Sequence, residues 1–315
     1  MFAIVFFFFC MEKFFFKENQ KFFCKNIRRK RSKNFLWPSQ ENLYREINHM
    51  HLHRINAILL RQLYLLRSTS RLLPIFAWVG IDIVLWGFLT RYLNSLSIGG
   101  LNFIPLLLGA ILLWDFFIRV MHGVSMSFFE DVWSRNFLNI FASPLYISEY
   151  IIGLVLTSTL TSLIALITML VLASTIFGLS FAVYGLLILP FLLILFLFGV
   201  SLGIVGVTIV LRLGPSAEWF IWPIPMIVSP FAGVLYPVST LPMWMQHVSS
   251  LLPPSYVFEG IRTILQGNPL PSITLFLGIA LALFYIFLAS LFFSFTYRRA
   301  VRSGLLARYS AESVG

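Results

Sequence analysis

Residues 150–211 read YIIGLVLTSTLTSLIALITMLVLASTIFGLSFAVYGLLILPFLLILFLFGVSLGIVGVTIVL, 62 consecutive positions without Asp, Glu, Lys, Arg or His. A hydrocarbon core about 30 Å thick takes about 20 helical residues at a rise of about 1.5 Å. The run is therefore two membrane crossings, and Phe177-Gly178-Leu179-Ser180 is their natural break. The whole chain agrees: its 315 residues are 59% hydrophobic, 17% aromatic and 11% charged, with a mean hydropathy of +0.88. Soluble domains are about a quarter charged. A water-soluble fold, a disordered chain and a collagen-like repeat are all excluded by these figures.

Working outward, Leu72–Thr90 gives a span with Asp82 inside it, and Leu101–Val124 a second containing Asp115. Trp219–Tyr236 gives a shorter one broken by Pro223, Pro225 and Pro230. The uncharged stretch Thr263–Tyr297 holds the last, after Pro269 and Pro271. With the pair in 150–211 the total is six. Placing the amino terminus inside assigns Arg54, Arg61, Arg67, Arg71, Arg119, Arg135, Arg212, Arg298, Arg299, Arg302 and Arg308 to the cytoplasmic face, and only Arg91 and Arg262 to the outer face. That bias is the positive-inside pattern. It predicts a multi-pass protein of the inner or plasma membrane with both termini cytoplasmic.

The formal charge of +11 is not a nucleic-acid signal once it is located. Residues 1–49 hold ten Lys/Arg against four acids, and all six lysines and both cysteines, Cys10 and Cys24, lie there. Residues 50–315 hold thirteen arginines against eight acids, most of them flanking the apolar runs. The first segment is low-complexity Phe/Lys/Asn sequence, with an apolar run too short to span and no signal-peptide cleavage site. Residues 1–49 are expected to be disordered or a spurious extension, with translation starting at Met50; residues 50–315 form the membrane domain. No nucleic-acid partner is expected.

Three segments are neither span nor simple loop. In MHLHRINAILLRQLYLLRSTSR (50–71), Arg54, Arg61 and Ser68 share one side of a helix and Leu52, Leu59, Leu63 and Leu66 the other. A basic amphipathic helix before the first span belongs in the inner interface plane. Between the second and third spans, the charges Glu130, Asp131 and Arg135 alternate with Phe128, Trp133, Phe137 and Phe141. This pattern predicts a short helix with a docking face, its acids near the start where they suit the helix dipole. Residues 237–267 carry Pro237, Pro242, Pro253 and Pro254, too many for a straight helix, with too few polar residues for a free loop. Short helices dipping into the outer leaflet fit, and Glu259 and Arg262, three apart, can pair.

Chemical motifs are few. Gly199-Val200-Ser201-Leu202-Gly203 matches G-x-S-x-G, but it sits mid-span, where a nucleophile elbow needs a strand-turn-helix. Its glycines, with Gly206, read instead as close helix contacts. No metal site is expected from the His and Cys spacing, no catalytic residue is assigned, and no G-x-x-x-x-G-K-[ST] occurs. Asp82 and Asp115 are costly in a bilayer unless paired or wet. Arg119, one turn after Asp115, is a ready partner for it.

These residues resemble a family. The 50–71 helix runs into Asp82 and Leu85-Trp86-Gly87-Phe88-Leu89-Thr90; Ala142-Ser143-Pro144-Leu145 follows the second cytoplasmic segment; then come Tyr236-Pro237-Val238-Ser239-Thr240-Leu241-Pro242, Leu252-Pro253 and Tyr256-Val257-Phe258-Glu259-Gly260-Ile261-Arg262. Together, over Met50 to about Arg302, they resemble the type-2 ABC transporter permeases, six-helix exporter subunits. The resemblance implies an all-α membrane fold with an elbow helix (Arg54, Leu59, Arg61, Leu63), a coupling helix docking an ATPase (Glu130, Asp131, Trp133, Arg135, Phe137) and re-entrant external helices (Pro237, Leu241, Pro242, Pro253, Tyr256, Glu259, Arg262). It implies export of a lipid, drug or polysaccharide-type substrate by two permease copies and a separate P-loop ATP-binding subunit. ATP and Mg would be held by that partner and no cofactor by this chain. The rival readings are a membrane-embedded enzyme and a passive channel or assembly subunit.

Overall fold

The computed structural model describes residues 52–96, 104–134, 140 and 145–303; the segment 1–49 lies outside them. Among the described residues all regular structure is helical. Helix α1 is Leu52–Leu66 and α2 Thr69–Leu96; α3, Gly109–Trp133, is entered through a π-helical turn, Ile104–Leu108. Helix α4 is Ile147–Phe177, and α5, Ile188–Leu213, follows a 3₁₀ turn, Phe181–Leu187. The short helices α6 (Ile224–Ala232), α7 (Met243–Ser250) and α8 (Pro253–Leu265) precede α9 (Ser272–Ser303). Five stretches are long and apolar enough to cross a membrane: Phe76–Leu96, Ile104–Trp133, Ile147–Phe177, Val183–Leu213 and Ser272–Ala300.

The long uncharged run breaks at the expected place. Helix α4 ends at Phe177 because Gly178 takes φ 67°, which glycine adopts freely. The amides of Gly178 and Leu179 then close back on the Ser174 and Ala173 carbonyls at 3.1 and 3.2 Å, satisfying the helix end.

Two expectations are corrected. Trp219–Tyr236 is not one helix: a 3₁₀ turn, Pro215–Phe220, precedes α6, whose nine residues rise about 14 Å, half of a hydrocarbon core. Pro223 and Pro225 have no N–H to give a helix running in from residue 219, Pro230 removes another, and Gly233 ends α6 at φ 66°. Second, Glu130, Asp131 and Trp133 do not open a separate short helix. Helix α3 runs unbroken to Trp133, and the Ser134 amide still reaches the Glu130 carbonyl at 3.0 Å. The two acids thus sit at the negative end of the helix dipole, not the positive end. Burial of Phe128 and Phe129 on the inward face carries the helical period past the charges. Arg135, Phe137 and Ala142-Ser143-Pro144 lie outside the described residues.

Helix α3 is the centre of the bundle, between α4 and α5, with α9 packed along α5. The close approach of α5 depends on its glycines. A Cβ on Gly203 would stand 2.8 Å from Val124 Cβ and 2.9 Å from the Met121 carbonyl, and one on Gly199 3.1 Å from the Phe117 carbonyl. Ser158 Oγ on α4 donates to the Val120 carbonyl at 2.8 Å, and Ser125 Oγ on α3 to that of Gly203 at 3.2 Å. Helix α2 packs on α4 through Val79, Ile83, Ala165, Met169 and Ala173, and turns Trp78, Ile81, Leu85 and Phe88 outward. In α1, Ile55 and Ile58 are buried, while Leu52 and Tyr64 are more than 70% exposed.

Candidate functional site

Polar chemistry collects at three levels. At the carboxyl end of α3 and the amino end of α4, Asp131 is 2% exposed and Glu149 fully buried. Arg61 on α1 donates to Asp131 Oδ1, and the Tyr150 hydroxyl donates to Asp131 Oδ2 at 2.6 Å. Arg54, one face-repeat earlier on α1, lies 3.7 Å from Glu149 and stacks over the Tyr146 ring at 5.7 Å. Glu149 also accepts the Tyr146 amide at 3.0 Å, capping the start of α4. The arginine face of α1 is therefore turned to protein acids rather than to water or lipid heads. Leu63, at 36% exposure, and Leu59, half-buried, lie off that face. Of the acidic pair, Asp131 points inward and Glu130 is only partly buried, while Trp133 is 52% exposed.

At mid-bundle, Arg119 Nε donates to Asp115 Oδ2 at 2.5 Å, the pairing its spacing suggested. It also lies 3.8 Å from Asp82 Oδ2 of α2. The three side chains are 15–31% exposed. One turn further, the His122 ring lies 4.7 Å from that of Trp222. Arg119 lies inside the membrane-length stretch Ile104–Trp133 rather than at its flank, so ten arginines remain in the set expected on the cytoplasmic face, against two expected outside. Ser201 Oγ is spent on the Phe198 carbonyl at 2.7 Å inside α5. Among the described residues no three His, Cys, Asp or Glu side chains converge as a metal site would require.

At the third level, around α6 and α8, Arg262 Nη1 donates to Glu259 at 3.0 Å, as the spacing suggested. Its Nη2 does more, donating to the Gly233 carbonyl and to that of Val234 at 3.1 Å. Those carbonyls belong to the residue that caps α6 and to the one after it. Glu259 also accepts the Val238 amide at 2.7 Å. Burial pushes the Arg262 guanidinium below its ordinary value, and Glu259 beside it opposes the shift. Around it, Pro237 precedes a 3₁₀ turn, the Leu241 carbonyl accepts Gln246 Nε2 at 2.8 Å, Pro242 precedes α7, Pro253 opens α8, and the Tyr256 hydroxyl donates to the Ser250 carbonyl at 2.8 Å.

Sequence reasoning missed Glu149, Tyr150 and the bond from α8 to the end of α6. Glu149 carried a signal, as the last acid before the 62-residue uncharged run. Tyr150 and Gly233 carried none.

A family model described as ABC-2 type transporter matches residues 54–266. Three curated relatives share the name Nodulation protein J. That of Rhizobium meliloti (strain 1021) is 37% identical over 73 residues, 22% of this chain and 28% of the relative. That of Neorhizobium galegae is 32% identical over 81 residues, 25% and 30% respectively. That of Rhizobium leguminosarum bv. viciae is 30% identical over 74 residues, 22% and 29%. The aligned stretch covers less than a third of each relative's length.

Proposed function

Because the chain belongs to the ABC-2 type transporter family, we propose that it is the permease of an ATP-driven exporter, paired with a second copy and with a separate P-loop ATP-binding subunit. It is a multi-pass membrane subunit of an ABC transporter. Its cargo is a lipid, drug or polysaccharide-type molecule leaving the cytoplasm. The observation that carries this reading is the family match over 54–266, which runs from α1 through α8.

Six crossings follow if the segment 214–236 traverses, and its contacts support that. It leaves the inner end of α5 at Leu213; Ile221 packs beside Gly206, two turns up α5. Trp222 is level with His122 at mid-α3, and Gly233 meets Arg262 of α8. Helix α8 in turn packs on Phe191 and Trp114, near the outer ends of α5 and α3. The short α6 needs only nine residues because the turn before it has already climbed part of the way.

In this reading α1 is the elbow helix, and Glu130 and Trp133 at the foot of α3, with Arg135 and Phe137 beyond, dock the ATP-binding subunit. ATP and Mg belong to that subunit. Isolating the tagged chain from its native membrane should bring down a protein with a G-x-x-x-x-G-K-[ST] loop, together with vanadate-sensitive ATP hydrolysis, and cross-linking should trap a dimer. An active monomer isolated without an ATPase would overturn the reading.

A further inference from the structure

We infer that Arg61 is a positioning residue: acting through Asp131 and Tyr150, it fastens α1 to the inner ends of α3 and α4, so that the three move as one body and α1 is not a hinge.

Two buried carboxylates carry the argument. Asp131, on α3, uses both oxygens, one for Arg61 and one for the Tyr150 hydroxyl at 2.6 Å. Glu149, on α4, faces Arg54 at 3.7 Å. Both arginines come from α1, seven residues and two turns apart, so one face of one helix answers an acid on each of two others. Between them Ile58 fills the space a side chain at Gly153 would need: a Cβ there would stand 2.6 Å from Ile58 Cγ2. Ile55 and Ile58 are 3% and 7% exposed. Lifting α1 away would open this apolar seam and strand two buried anions together, the most unfavourable way to break a buried ion pair. Asp131 shares its helical turn with Glu130 and Trp133, so any displacement imposed on the foot of α3 is delivered to α1 through Arg61. The inference rests on the reading that an ATP-binding subunit moves this end of the molecule.

The test uses the assembled transporter in lipid vesicles, with Cys10 and Cys24 replaced by Ser. Spin labels at Asn56→Cys on α1 and Leu160→Cys on α4, both exposed positions, report the distance between the helices in the nucleotide-free and vanadate-trapped states. One unchanged distribution is expected in both states; a shift between them overturns the inference. Arg61→Ala should broaden the distribution and Arg61→Lys should restore it, and an unaltered distribution in Arg61→Ala removes Arg61 from the role. Should Arg61→Ala fail to insert, Arg61→Gln, which keeps the stem and removes the charge, takes its place: a broadened distribution supports the fastening and an unaltered one overturns it. A chain that recruits no ATP-binding subunit overturns the reading of its function; the label distances in the isolated chain, intact against Arg61→Ala, still test the fastening.

Discussion

Arg119 reaches Asp115 at 2.5 Å and Asp82 at 3.8 Å, so α2 and α3 meet through two carboxylates and one guanidinium well inside the bundle. The members are unequal. Arg119 is the cation for both acids, and replacing it with Leu leaves two carboxylates facing each other away from water. Arg119→Leu should destabilise the protein by about 3–5 kcal/mol, the usual result of removing one partner of a buried pair. Asp82 holds only the longer contact and is 31% exposed, so Asp82→Asn, which keeps the hydrogen-bonding shape, should cost under about 1 kcal/mol. Thermal unfolding in detergent at matched protein levels compares the two, and equal melting profiles would refute the ranking. A structural role also predicts that Asp82→Asn retains transport. The Asp115–Arg119 pair was legible because four residues on a helix bring side chains together whatever the fold. The Asp82 contact was not, since it depends on how α2 leans on its neighbours. Arg61 and Asp131 are separated by 70 residues, and their pairing has no local signature.

Among the elements, those defined by long apolar runs were readable from the sequence, because a bilayer fixes how much helix each crossing takes. The elements at the margins were not. Charges at 130 and 131 suggested that a new helix starts there, but the inward burial of Phe128, Phe129 and Asp131 keeps α3 going. Helix α6 is short because prolines and Gly233 outweigh its apolar composition. The glycines of α5 read correctly as a seam, and the seam gives a contrast to measure. Gly203→Val would press a branched side chain onto Val124 and the Met121 carbonyl, and since the latter is backbone, helix α3 itself must shift. Such overpacking should cost about 1–3 kcal/mol. Gly80, on α2, has nothing within 4 Å of its would-be Cβ, so Gly80→Ala should be neutral or stabilising by up to about 1 kcal/mol. Melting temperatures of the two variants check this, and a destabilised Gly80→Ala would mean that another surface covers α2 there. The foot of α3 gives a second contrast. Asp131→Ala leaves Arg61 facing a buried void and should lower stability, whereas Glu130→Ala, at a partly exposed carboxylate, should weaken recruitment of the ATP-binding subunit. Co-isolation from membranes distinguishes the two effects.

For the molecule as a whole, composition was enough to predict a helical membrane protein, and the order of apolar runs enough to suggest its family; which helix lies at the centre was not legible. Helix α3 takes that place because it meets small residues on both sides, Gly199 and Gly203 from α5 and Ser158 from α4, and serine and glycine are common enough in any span to be silent in the sequence. Direction across the membrane is the remaining whole-molecule property, and it turns on the segment 214–236. If that segment crosses, α9 runs from the outer face to the inner and delivers Arg298 and Arg299 to the cytoplasm. If it turns back, α9 runs the other way and both arginines lie outside with the carboxyl terminus. Ten arginines against two is the balance only in the first case, and arginine flanking a span strongly favours the cytoplasmic side. With Cys10 and Cys24 replaced by Ser, a single cysteine at Asn268, exposed between α8 and α9, should react in intact cells with a maleimide that cannot enter. A single cysteine at Ser134, exposed at the foot of α3, should react only after the membrane is opened. A third at Leu213, 61% exposed at the end of α5, should behave like Ser134, because the crossing lies between it and Asn268. Should Leu213→Cys and Asn268→Cys label from the same side, the segment does not cross, and the inner and outer faces assigned to α6, α8 and α9 must be redrawn.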